Sequence, residues 1–213
     1  MGAETLIVNA DNRRPIRARS ARWAQQTAAV LATAGVSPNQ ISIASIAFAL
    51  AGGALLVCLP NSAGLILCAL AVQGRLVCNL LDGMVAVEGG RKSALGQLYN
   101  EFPDRVADSL LIVGLGYAID VAWLGWLGAL AAALTAYIRV FGGSLGLARD
   151  FRGPMAKQHR MAVLTGGCLL GAAEIAVSGT LHSLQAAAWI IAVGSLVTCA
   201  TRTFGIARQI APG

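Results

Sequence analysis

Five acids stand close together in a chain that is otherwise poor in charge: Asp82, Glu88, Glu101, Asp104 and Asp108. Asn79 precedes Asp82 by three residues, and Asn100, Asp104 and Asp108 follow at intervals of four, so on helices each set occupies one face. The stretch joining the two faces, Glu88-Gly89-Gly90-Arg91-Lys92, is short and glycine-rich, which predicts antiparallel neighbours with their oxygen donors at similar depth. Carboxylates and carboxamides with no facing histidine suit a hard divalent cation, Mg²⁺ or Mn²⁺, that holds a phosphate-bearing substrate. Phosphoryl-type transfer is the natural chemistry of such a pocket. Spacing alone leaves two other readings open. One is a structural network in which Asp82 and Asp104 pair with Arg75, Arg105 or Arg139 and fix helix register. The other is a proton relay in a transporter.

The elements that carry these residues are membrane helices. Of 213 residues, 56% are hydrophobic, 12% charged and 6% aromatic, which excludes an ordinary water-soluble globular domain. A span needs roughly 20 apolar residues, and six such stretches occur, at about 41–59, 64–87, 93–118, 121–147, 161–177 and 184–206. The expected fold is therefore an all-α integral membrane protein with six transmembrane helices. No space remains for a separate catalytic domain, so chemistry belongs to the helices and their cytoplasmic ends. A charged side chain costs roughly 2.5 to 3.5 kcal/mol at mid-membrane depth, so each intramembrane acid requires compensation.

None of the sixteen Lys and Arg residues lies in the linkers 60–63, 119–120 and 178–183. Arg13, Arg14, Arg17, Arg19 and Arg22 cluster before the first span, and others fall at Arg91 and Lys92, in 149–160 and near the C-terminus. The positive-inside rule then places both termini in the cytoplasm, and a bacterial cytoplasmic membrane is the expected location. The same asymmetry accounts for the net charge of +6, and no basic surface interleaved with aromatics suggests nucleic acid. Residues 17–34 set Trp23, Val30 and Leu31 among Arg and Gln, as in an amphipathic helix at the membrane interface. Two regions follow: a cytoplasmic basic tail with its interfacial helix, 1–35, and a membrane domain, 36–213. The first twelve residues lack the apolar core of a signal peptide and a myristoylation motif, so no processing is expected. The five cysteines are dispersed in apolar runs without a C-x-x-C pair and read as small apolar residues. The pairs Gly142/Gly146 and Gly167/Gly171 have small-residue spacing for close helix packing.

The stretch Asn79-Leu80-Leu81-Asp82-Gly83-Met84-Val85-Ala86-Val87, followed after eight residues by Gly96-Gln97-Leu98-Tyr99-Asn100-Glu101-Phe102-Pro103-Asp104, resembles the signature of the CDP-alcohol phosphotransferase family. That signature reads D-x-x-D-G-x-x-A-R, about eight residues, then G-x-x-x-D-x-x-x-D, and the spacing fits without a gap. Val36-Ser37-Pro38-Asn39-Gln40-Ile41-Ser42 is similar to the family's T-P-N-x-(I/V)-T entry to the first span, and the resemblance extends over nearly the whole chain. Three positions depart: Asn79 and Asn100 replace the first and third Asp, and Val87 replaces the Arg. In a second register, Asp104-Arg105-Val106-Ala107-Asp108 matches the family's D-P-V-A-D, with an insertion near 89–92. The ungapped register is preferred.

In the preferred register the resemblance implies metal ligation by Asn79, Asp82 and Asn100, with Asp104 as base and metal neighbour. In the other register, Asp82 and Asp104 bind metal and Asp108 is the base. Asp108, one turn beyond Asp104, is expected to belong to the working site in both. Asn ligates through its carbonyl oxygen, but two fewer charges weaken metal binding. Gly83, Ala86 and Gly96 are the motif's small residues at the nucleotide, with Gly83 allowing close backbone approach. Arg91 and Lys92 are close to the donor in sequence, and Arg139, Lys157 and Arg160 are candidates to clamp an acceptor phosphate. The implied reaction passes a phosphatidyl group from CDP-diacylglycerol to a small alcohol, phosphorylated or not, with release of CMP. The implied assembly is a homodimer. Two alternatives stand beside it. A family member that has lost catalysis and serves as a membrane binding or scaffold protein is motivated by Asn79, Asn100 and Val87. An ion- or proton-coupled transporter would need acids along a continuous path, and 65–70 and 110–116 carry none.

Overall fold

A capping box starts the first long helix: Ser37 Oγ accepts from the Gln40 amide at 3.3 Å, and Gln40 Oε1 accepts from the Ser37 amide at 2.8 Å. Pro38 occupies the first turn, where its missing N–H costs nothing. The computed structural model describes residues 21–88, 96–148 and 150–211, apart from the side chains of 87, 88, 96, 97 and 100. Arg91 and Lys92, expected near the donor, lie outside the described residues.

Seven helices follow in order: α1 (Arg22–Thr33), α2 (Pro38–Cys58), α3 (Ser62–Glu88), α4 (Gly96–Ala118), α5 (Ala122–Ser144), α6 (Lys157–Ser178) and α7 (His182–Ile210). No strand occurs among the described residues. Helices α2, α5, α6, α7 and the Ser62–Ala86 portion of α3 are long and apolar enough to cross a membrane, so the protein is an all-α membrane protein. The sequence predicts six spans, and α4 is the helix that differs. It has 23 residues but carries Glu101, Asp104, Arg105 and Asp108.

The six long helices close a ring in the order α2, α3, α6, α7, α5, α4, each packed on the next and α4 returning to α2. Helices α3 and α4, expected as antiparallel neighbours, both lean on α2, and the Arg75 side chain bridges from α3 to Asp108 of α4. Glycines explain why α4 seats on α2 and α5. A Cβ at Gly53 would come 2.9 Å from the Leu110 carbonyl oxygen, and one at Gly116 would come 2.6 Å from Gly125 Cα. Small residues at such crossings let backbones approach, which is how helices associate where no water drives them together. Of the four glycines singled out by spacing, Gly142 faces Ile206, Gly167 faces Ala187 and Gly171 faces Leu65, whereas Gly146 lies beyond α5 at φ +78° with nothing against it.

Leu56, Leu65, Leu111, Ile112, Leu115, Leu124, Met161, Leu164, Leu184 and Ile191 are buried in one continuous apolar core. At the chain's start, Ala24 and Ala28 of α1 pack on Leu80, Leu81, Met84 and Val85 of α3, leaving Trp23 and Val30 exposed. At the opposite end, the Glu174 carboxylate accepts from the amides of His182 and Ser183, each at 2.8 Å, satisfying orphan donors at the start of α7.

Candidate active site

Charge enters the ring on three helices and meets at Asp108. Arg75, fully buried on α3, donates to one Asp108 oxygen at 2.6 Å, and Arg160 of α6 donates to the other at 2.8 Å. Arg160 also donates to the Met155 carbonyl at 2.9 Å. Asp108 is 2% exposed and Arg160 1% exposed. These two residues, expected at the reacting groups, are thus engaged with each other inside the bundle. An ion triad with both carboxylate oxygens occupied fixes α3, α4 and α6 relative to one another.

One helical turn toward the start of α4, Asp104 has a different setting. Its side chain is 14% exposed and forms an ion pair with Lys157 at the start of α6. Arg105 lies 3.6 Å from one of its oxygens and Arg75 lies 3.7 Å from the other. Asp82 on α3 is buried, accepts from Ser42 Oγ of α2 at 2.8 Å, and interacts electrostatically with both Asp104 and Lys157. Asn79 precedes Asp82 by one turn, and its carboxamide nitrogen is buried without a hydrogen-bond partner. Asn100 occupies the corresponding turn before Asp104 on α4, its side chain outside the description. Pro103, between them, removes a helical N–H and with it the bond to the Tyr99 carbonyl. Gly83 and Ala86 continue α3 beyond Asp82, half-buried, and Gly96 opens α4.

A second cationic group borders these acids from α5 and α7. Arg139 donates to both Glu101 oxygens, at 2.7 and 2.9 Å, and its guanidinium stands 5.7 Å from the Phe151 ring centroid. Buried Arg202 donates to the carbonyls of Thr135 and Arg152, and Thr198 Oγ1 accepts from the Met155 amide at 2.9 Å. These bonds hold the segment before α6 against α7, which sets where Lys157 and Arg160 enter the bundle. In that segment, the hydrogen bonds and charge of Arg152 hold the Asp150 carboxyl below its ordinary range.

The structure therefore unites Asp82, Asp104 and Lys157, and places Asp108 and Arg160 in a buried lock beneath them. Arg202 was not singled out from sequence; Glu101 and Arg139 were named but not as partners of each other, Ser42 only as the end of the stretch resembling the family's entry to the first span, and Arg75 only as a register-fixing partner. An Arg in the middle of an apolar span is itself a signal for a hub such as Arg75. The hydroxyl of Ser42 carries no such mark.

The described residues contain no group of three or more Asp, Glu, His or Cys arranged to hold a metal. The available donors among the described side chains are the carboxylates of Asp82 and Asp104 and the carboxamide of Asn79. An all-oxygen set of this size fits a single Mg²⁺ or Mn²⁺, which binds through one or two carboxylates when substrate phosphates complete its shell.

Comparison with known proteins shows the fold and the family. No protein-family profile matches the chain. It is 32% identical over 197 residues to a phosphatidylinositol phosphate synthase of Streptomyces avermitilis, covering 86% of this chain and 78% of that one. It is 30% identical over 183 residues to the archaetidylinositol phosphate synthase of Aeropyrum pernix, covering 83% and 90%. Its fold matches the Mycobacterium tuberculosis phosphatidylinositol phosphate synthase with CDP-DAG bound, at TM-score 0.74 and 22% identity over 87% of this chain and 94% of that one. The same synthase in complex with manganese and citrate gives TM-score 0.73 and 21% identity over 86% and 88%. The likeness to these structures shows the fold, and the two sequence relatives show the family: the chain belongs to the CDP-alcohol phosphotransferases, membrane transferases of phospholipid biosynthesis.

Proposed function

We propose that the protein transfers a phosphatidyl group from CDP-diacylglycerol to a small phosphorylated alcohol and releases CMP. One observation carries the assignment of roles: of the three acids brought together, Asp104 has the most exposed side chain, while Asp82 is held by Ser42 and Asp108 by Arg75 and Arg160. Asp104 takes the proton of the acceptor hydroxyl. The hydroxyl oxygen attacks the lipid-side phosphorus, and the P–O bond to CMP breaks with its electron pair leaving on CMP. Arg139 and Lys157 attract the acceptor phosphate, with Arg202 fixing the segment that delivers Lys157. Asp108 and Arg160 are positioning residues that hold α4 and α6 in register beside the reacting groups. When bound by Asp82, Asp104, Asn79 and Asn100, Mg²⁺ or Mn²⁺ supplies Lewis-acid charge to the diphosphate.

The names of the two sequence relatives support an inositol phosphate as the first acceptor to test. CMP release from CDP-diacylglycerol in lipid, measured with inositol phosphate, glycerol phosphate, inositol and serine, tests the reaction and ranks the acceptors. Release with phosphorylated acceptors above the others is expected.

The remaining assignments complete this reading. Helix α4 is the sixth span, its charges compensated inside the ring. Helix α1 lies at the cytoplasmic interface with Trp23 and Val30 toward lipid, forming with the tail a region 1–35 distinct from the membrane domain 36–213. The termini and site face the cytoplasm of a bacterial cell. A homodimer completes the assembly, and an open groove of about 390 Å³ on α4 and α5, lined by Arg105, Val106, Ser109, Leu110, Val113 and Trp126, is a largely apolar face for it to cover. A second reading, a scaffold protein without catalysis, is favoured by Asn79, Asn100 and Val87 in motif positions and by Lys157 paired with Asp104. Well-folded protein that binds CDP-diacylglycerol yet releases no CMP with any acceptor would establish it.

A further inference from the structure

We propose that Ser42 is a positioning residue for the site's cation: its hydroxyl orients the Asp82 carboxylate as a ligand without neutralising it. The inference rests on the CDP-lipid reading above and adds a residue that sets how tightly the cation of that site is held.

Two observations carry it. The first is the contact itself. Ser42 Oγ lies 2.8 Å from Asp82 Oδ2 and 3.2 Å from the Pro38 carbonyl oxygen. A hydroxyl has one proton to donate, and the closer, carboxylate acceptor takes it, because hydrogen bonds to a carboxylate are the stronger. A serine inside a helix can satisfy itself on the carbonyl four residues earlier, but the shorter bond of Ser42 reaches another helix. Both residues are buried, at 5% exposure each, so water has little access to replace the bond. Among Asp82, Asp104 and Asp108, the last is engaged by two guanidinium groups and Asp104 by an ammonium, whereas the side chain that hydrogen-bonds Asp82 is uncharged. A neutral donor fixes a carboxylate and leaves its negative charge for a cation, as hydrogen-bonding partners behind metal ligands do.

The second observation is that the hydroxyl is held in place. Ser42 lies one turn into α2, whose start is fixed by the Ser37–Gln40 capping box. The Ser42 carbonyl accepts from Ser45 Oγ at 2.7 Å. Its neighbour Ile41 is buried in one cluster with Leu80, Leu81, Met84 and Val85, the residues of α3 on either side of Asp82. Donor and acceptor therefore stand on two helices pinned to each other at this level, which is the condition for one group to set the orientation of another. Because Asn79 and Asn100 occupy two motif positions, Asp82 and Asp104 are the carboxylates left to the site. With fewer charged ligands, the orientation of each carries a larger share of cation affinity.

The test uses the full-length protein in lipid nanodiscs with CDP-diacylglycerol, and follows Mn²⁺ binding by loss of the free-ion electron paramagnetic resonance signal. Ser42→Ala is expected to weaken Mn²⁺ binding by about 10- to 100-fold. Ser42→Thr keeps the hydroxyl and should bind Mn²⁺ as wild type does, whereas Ser42→Val, of the same shape as Thr, should bind as weakly as Ser42→Ala. The Thr and Val pair reads the hydroxyl alone and decides the matter if Ser42→Ala does not fold. CMP release by Ser42→Ala should recover as Mn²⁺ is raised, which damage to the fold would not allow. Wild-type Mn²⁺ affinity in well-folded Ser42→Ala overturns the proposal, as does equal affinity in Ser42→Thr and Ser42→Val. Wild type that binds CDP-diacylglycerol without taking up Mn²⁺ overturns the proposal and leaves the donor assignment, and well-folded wild type that binds neither overturns the reading on which the proposal rests.

Discussion

Asp104 and Asp108 share a helix face one turn apart, and from sequence either can serve as the base. What separates them is supplied by other helices: Arg75 lies 33 residues before Asp108 and Arg160 lies 52 after it, distances over which spacing carries no information. Removing Asp108 leaves two buried guanidinium groups without their counter-charge, so Asp108→Ala should lower stability by about 3 to 5 kcal/mol, the cost of breaking a buried pair. Thermal unfolding in lipid would measure it. Asp104→Ala, at a more exposed position, should unfold close to wild type. A stable Asp108→Ala protein with a normal melting temperature would remove the lock from this account. The acids were legible as a constellation because each stands out in an apolar span. Arg75 was legible only as one of several possible partners, and Ser42 only as a motif position and not as a partner of Asp82, because a hydroxyl in a membrane helix is common.

The helices themselves followed closely from hydropathy. The six expected stretches coincide with α2 to α7 to within a few residues, and the amphipathic segment before them forms α1. Their neighbours followed from the linkers only in part: α2 packs on α3, α4 on α5 and α6 on α7. A short link predicts that α3 and α4 are antiparallel neighbours, but not that α4 is drawn to α2 and α5 by Gly53, Gly114, Gly116 and Gly125, leaving room between α3 and α4 for Arg75 and the acids. Glycine pairs at motif spacing drew attention to Gly142 and Gly167, whereas these crossings match single glycines on different helices, a pattern visible only once the helices are placed. A side chain at Gly116 has no space, so Gly116→Val should disturb the α4–α5 crossing and cost about 1 to 3 kcal/mol or more. Because α4 carries the acids, CMP release should fall with it. Gly143→Ala, where nothing lies within 4 Å, is the matched control and should leave both unchanged.

At the scale of the molecule, the ring is polar at one end and apolar through the rest. Leu56, Leu65, Leu111, Ile112 and Leu115 fill the interior, so the acids do not continue as a path across the bilayer. Vesicles reconstituted with the protein are expected to hold a pH gradient as long as protein-free vesicles do. Collapse of the gradient would revive the transporter reading. Reporter fusions at the two ends of the chain, which the proposed orientation puts in the cytoplasm, check the orientation on which the site's access to CDP-lipid and acceptor depends. The central claim is transfer by Asp104, and CMP release in lipid tests it most directly, with CDP-diacylglycerol, Mg²⁺ or Mn²⁺ and inositol phosphate, for wild type and Asp104→Ala. The account predicts acceptor-dependent release that falls by at least about 100-fold in the variant. Release that persists in well-folded Asp104→Ala, or none from well-folded wild type with any acceptor, would contradict it.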